Sequence, residues 1–208
     1  MNKKEEMEER GETTIDKKEE YLKYVYQFGD LKVLVKGFFL LDNNIKKLYD
    51  DLKAAHKDTN IAIVNSNIVF GLEHIFGIIK IINEEMKSKE EREIKNLDIE
   101  FLLRICYTNQ ILYAFQVLND DKSNNDKSFI CVLFSKYLSN IKNTYIDLKN
   151  CGKEDNTNTL IQISEAKKLH ILKIFFNQYI KDLDNISVIK DDHKFQKFLI
   201  ERSAISLK

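Results

Sequence analysis

From Leu72 to Met86, apolar residues recur at three- and four-residue steps. Leu72, Ile75, Phe76, Ile79, Ile82 and Met86 fall on one side of a helix, opposite Glu73, Lys80, Asn83 and Lys87. A charged link through Glu93 separates it from a second helical pattern carrying Ile99, Leu102, Leu103 and Cys106. A third begins almost at once and runs from Thr108 to Leu118. Ahead of all three, Ile61 to Val64 is an unbroken apolar run, as in a short strand buried on both faces. Asn65, Ser66 and Asn67 follow it, each able to cap the next helix.

Outside this stretch the pattern alternates between strand and helix without regularity. LKVLVKGFFLL from Leu31 is rich in β-branched and aromatic residues and predicts a first strand. A helix capped by Asp42 or Asn43 follows, with Ile45, Leu48, Leu52 and Ala55 on one face. The polar loop NDDKSNNDKS closes the helical region, and FICVLF from Phe129 to Phe134 is the strongest strand signal. Helices are predicted over Ser135 to about Lys149, from Ser164 to Ile180, and from Lys194 to Arg202. Two further short strands are expected, Leu160 to Ile163 and Ala204 to Leu207. The connections do not suit a doubly wound parallel sheet, so the expected fold is α+β: one domain with a small, mainly antiparallel sheet covered by helices.

Composition changes this picture at the amino terminus. The first twenty residues hold five basic and eight acidic side chains and almost no apolar anchors. Residues 1–22 are therefore expected to form a flexible charged tail. They contain no signal-peptide segment, and no apolar run is long enough to span a bilayer, which points to the cytoplasm. The net charge of zero excludes bulk electrostatic coating of nucleic acid but leaves room for a local contact. Cys106, Cys131 and Cys151 lack paired spacing and read as reduced thiols.

The chain carries no dinucleotide-binding glycine fingerprint, P-loop, zinc-protease or nucleophile-elbow motif. Gly71 and Gly77 read as sites where a helix packs closely on the sheet. His56, His74, His170 and His193 are scattered, and His74 beside Glu73 reads as a capping or surface imidazole. No metal, no cofactor and no small-molecule substrate are expected.

Two features point to recognition. The helix TNQILYAFQVL is apolar nearly all round, with Ile111, Ala114, Phe115 and Leu118 in one stripe. Either it is buried on both faces or part of its surface awaits a partner. At its start, Arg104, Asn109 and Gln110 surround a turn where free N–H groups and a guanidinium suit a phosphate. His74 and Asn65 come near if the helices bundle, and Lys87, Lys89, Arg92 and Lys95 in the preceding link could steer RNA. Capping by Asn109 and Gln110, and balancing of the link by Glu90, Glu91 and Glu93, are the alternatives.

Asn65, Ile68, Val69, His74 and Ile75 at the strand-to-helix turn resemble the small non-catalytic subunit of the KEOPS complex, the family called PRPK-binding protein in eukaryotes. So does Glu100-Phe-Leu-Leu followed by Asn109-Gln110-Ile111-x-x-Ala114-Phe115. The likeness extends from about residue 31 to the end. Cys106-Tyr107 and Ile78 depart from the smaller residues common in the family. The resemblance implies an α+β fold and a non-enzymatic role in the complex that places threonylcarbamoyl on the tRNA adenosine next to the anticodon. It implies docking on the kinase-like ATPase subunit through helices of this region, with Ile111, Phe115 and Leu118 as contacts. On that reading Phe115→Glu or Leu118→Glu would abolish docking and leave a folded chain. It also implies a grip on the single-stranded 3′ CCA end of tRNA, for which Arg104 and Tyr107 are stacking candidates. Docking without RNA contact, and an enzyme of unrecognised type, stand as alternatives.

Overall fold

A computed structural model describes residues 20–40, 45–88, 94, 96–119, 128–177 and 187–207. In chain order they form β1 (Val25–Phe28), β2 (Leu31–Leu40), α1 (Ile45–Ala55), β3 (Asn60–Asn65), α2 (Leu72–Ser88), α3 (Leu97–Ile105) and α4 (Ile111–Asn119). There follow β4 (Ser128–Ser135), α5 (Leu138–Cys151), β5 (Gly152–Glu154), α6 (Glu165–Phe175), α7 (Ser187–Lys190) and α8 (Asp192–Ile205). Every strand pair is antiparallel, in the order β1-β2-β4-β3, with β5 also on β2. The fold is α+β, as the pattern predicts.

Alternation along the strands decides which helices cover which face. Val33, Val35, Ala62, Val64, Val132 and Phe134 join the core beneath α2, α3 and α4. Leu34, Phe38, Ile61, Ile63, Phe129 and Leu133 face the other way, onto α1 and α5. Because both faces are covered, β3 and β4 are apolar at every core position, which accounts for their unbroken runs. A third cluster, Phe70, Ile171, Leu172, Phe176, Phe195 and Leu199, fastens α6 and α8 beside α2.

Several boundaries differ from expectation. β1 joins β2 through Gly29-Asp30, with Gly29 at φ 59, as a glycine-first hairpin turn requires. Tyr21, inside the expected tail, is buried in the core; residues 1–19 lie outside the described residues. So do the expected caps Asp42 and Asn43, most of the loop before β4, and the end of the helix predicted to reach Ile180.

Leu160 to Ile163 is not a strand but a turn. Asp155 organises it, accepting from the Leu160 N–H at 2.7 Å and from the Thr157 and Thr159 hydroxyls. Burial pushes the Asp155 carboxyl up, but these bonds outweigh it and hold the group below its ordinary range. Ala204 to Leu207 is not a strand either. α8 continues to Ile205, with the Ser203 hydroxyl donating to the Ile200 carbonyl within the helix.

Gly77 serves a helix pair, not the sheet: a β-carbon there would lie 2.4 Å from Ile200 of α8. One at Gly71 would meet Gln196 and Ile163. Among the described residues no helix is long and apolar enough to cross a membrane.

Candidate functional site

Asn65 does cap, but it caps a single 3-10 turn, Ser66–Ile68, by accepting from the Asn67 N–H at 2.8 Å. The chain then passes Gly71 and enters α2, which brings His74 inward. His74 is fully buried, not a surface imidazole. Its Nδ1 accepts from the Phe70 N–H at 3.3 Å, and its Nε2 lies 3.0 Å from the Tyr107 hydroxyl. Burial lowers its pKa to about 3, so the ring is neutral at physiological pH.

The α3–α4 turn closes by a Schellman pattern. The Tyr107 N–H donates to the Arg104 carbonyl and the Thr108 N–H to that of Leu103. The position between them favours glycine, yet Tyr107 occupies it at φ 51. Its ring is held between Phe175 and Phe176, each centroid 5.0 Å away, and its hydroxyl by His74. A base cannot stack on a ring already packed this way, which corrects the reading of Tyr107 as a stacking candidate for RNA.

Arg104 is also withdrawn from solvent, at 1% exposure. Its Nε donates to Glu100 at 2.9 Å, one terminal nitrogen to Glu85 at 2.6 Å, and the other to the Ser203 carbonyl at 3.1 Å. The guanidinium thus ties α2, α3 and α8 together, and no face of it is left for a phosphate. The i,i+4 spacing of Glu100 and Arg104 was the signal for this pairing.

Of the predicted nucleic-acid residues, Asn109 and Gln110 are exposed on the turn. The Gln110 N–H donates to the Thr108 hydroxyl oxygen, and its carbonyl accepts from Ala114. Lys87 is exposed and pairs with Glu84. Lys89, Arg92 and Lys95 lie outside the described residues.

The partner-binding stripe divides. Leu118 is 5% exposed and belongs to the core with Ala114, which corrects its reading as a surface contact: it faces the sheet. Ile111 is exposed and Phe115 half-buried. Beside them Leu112, on a flank the sequence stripe did not include, is 80% exposed, and Tyr113 is exposed too. Leu112, Phe115 and Leu118 line an apolar groove of about 380 Å³, whose other wall is Ile45 and Tyr49 of α1. Phe115 and Tyr49 meet edge to face. The Tyr49 hydroxyl donates to buried Asp98 on α3 at 3.1 Å, and Lys53 binds the same oxygen at 2.7 Å. Burial, with the Asp98 charge second, pushes the Tyr49 phenol above its usual range.

Cys106, Cys131 and Cys151 are free thiols. Among the described residues no cluster of three or more His, Cys, Asp or Glu side chains could hold a metal. The chain matches no model of a known protein family, and a search of curated proteins finds no match either.

Proposed function

We propose that this chain is a non-catalytic docking subunit of the complex that adds threonylcarbamoyl to tRNA, and that it seats on the kinase-like ATPase subunit through α4 and α1. One observation carries the reading: Leu112, 80% exposed, lines an apolar groove, and its neighbours Ile111 and Tyr113 are exposed as well. Solvated large apolar side chains beside a groove suit a helix or loop of another protein. The resemblance supplies the partner, since it implies docking through helices of this region.

The tRNA contact then rests, among the described residues, on Asn109, Gln110 and Lys87, which are the exposed ones of the predicted set. Docking without RNA contact gains from the burial of Arg104 and His74 and the packing of Tyr107. Co-expression with the kinase-like subunit tests the docking. Wild-type chain is expected to co-purify and Leu112→Glu to lose the partner; retention by Leu112→Glu would overturn the assignment. Mobility shift with intact tRNA and with tRNA lacking its CCA end separates the two docking readings.

A further inference from the structure

The α1 wall of the apolar groove is tied to α3 through one carboxylate oxygen. Tyr49 lines the groove and meets Phe115 of α4 edge to face, with ring centroids 6.2 Å apart. Its hydroxyl donates to Asp98 Oδ2 at 3.1 Å. Lys53, one turn further along α1, binds the same oxygen at 2.7 Å.

Asp98 is 1% exposed and does not line the groove. Its other oxygen, Oδ1, is buried with no hydrogen-bond partner, and among the described residues no other buried side-chain nitrogen or oxygen is left so. Burying a carboxylate with one oxygen unanswered is costly, so the acid is poorly satisfied as a simple fastening between two helices. Both of its donors come from α1 and converge on Oδ2, which fixes where Tyr49 and Lys53 sit.

The Tyr49 side chain is thereby held twice, by its ring against Phe115 and by its hydroxyl on Asp98. A side chain already fixed when a partner arrives spares the ordering cost of binding. We propose that Asp98 is a positioning residue for the docking groove: by holding the Tyr49 hydroxyl it fixes the aromatic wall against which the partner seats, without touching the partner itself. The proposal rests on the docking reading above and adds to it a residue that is neither exposed nor in the groove. Tyr49 serves the interface, and Lys53 serves the fold.

Calorimetric titration of the full chain with the kinase-like subunit, beside urea unfolding of the same variants, separates these roles. Tyr49→Phe keeps the ring and removes its bond to Asp98; it is expected to weaken docking about three- to tenfold with the fold intact. Asp98→Ala is expected to weaken docking likewise, and in its background Tyr49→Phe is expected to have no further effect on affinity. Lys53→Met is expected to lower stability and leave affinity unchanged. Should Asp98→Ala fail to fold, Tyr49→Phe and Lys53→Met decide. A wild-type chain that does not bind the kinase-like subunit overturns the docking reading and this proposal with it. Wild-type binding with Tyr49→Phe at full affinity, or additive losses in the double variant, overturns this proposal alone.

Discussion

The Tyr107 hydroxyl and His74 Nε2 lie 3.0 Å apart, and the two ring planes are within 7° of parallel. His74 Nδ1 accepts the Phe70 N–H, so the neutral ring carries its proton on Nε2 and donates it to the phenol oxygen. This bond links the start of α2 to the α3–α4 turn. It also fastens a tyrosine whose backbone is left-handed, a conformation that costs about 1–2 kcal/mol in a residue with a β-carbon.

A pH dependence follows. The imidazole titrates near 6.5 when the chain is unfolded and near 3 when folded, because burial penalises its charge. Between those values the unfolded state binds more protons, so stability falls as pH drops, by up to about 1.4 kcal/mol per unit. Above 6.5 this contribution is fully present. Urea unfolding between pH 7.5 and 4.5 should show the loss, and His74→Gln should flatten the part of the slope due to this group. An unchanged slope in that variant would mean that His74 is solvated.

Arg104→Met should cost about 3–5 kcal/mol, because it takes the guanidinium from buried Glu100. Lysine should not rescue it, since one ammonium cannot reach Glu85, Glu100 and Ser203 together. Chemical denaturation checks both. A variant of native stability with weakened tRNA binding would restore the phosphate-contact reading.

β2, β3, β4 and α2 to α4 are legible because their signals are local: unbroken apolar runs in β3 and β4, and three- and four-residue periodicity in α2. The errors came where a distant group overrides local preference. Nothing near Leu160 shows that Asp155 will grip its N–H, and nothing in SAISL shows that α8 will run on as far as Ile205 beside Arg104. The same holds for the site. Arg104 and Tyr107 look available in a turn, but Glu85 is nineteen residues from Arg104, and Phe175 and Phe176 come from α6 and its end. β1 left a readable sign in Gly29-Asp30 between short apolar segments.

Gly77→Ala should destabilise the chain by about 1–3 kcal/mol, although the same change in an open helix stabilises by about 1 kcal/mol. The new methyl would fall 2.4 Å from Ile200. Combining it with Ile200→Ala should reverse the sign, making the double variant more stable than Ile200→Ala alone. Thermal melts of the four chains of this cycle measure the coupling. Additive effects would mean that α2 and α8 separate freely at this crossing.

Leu112 and Leu118 lie on one short helix and should respond oppositely to the same substitution. Leu112 is 80% exposed, so Leu112→Glu should change stability by less than about 0.5 kcal/mol. Leu118 is 5% exposed among core residues of α3 and the sheet, so Leu118→Glu buries a carboxylate and should prevent folding. Loss of a partner by Leu118→Glu therefore says nothing about docking, whereas loss by Leu112→Glu does. Phe115→Glu falls between: its ring is half-buried against Tyr49, and losing that contact should cost about 1–3 kcal/mol. Circular dichroism and size exclusion of the three variants order them; a folded Leu118→Glu chain would place α4 away from the core.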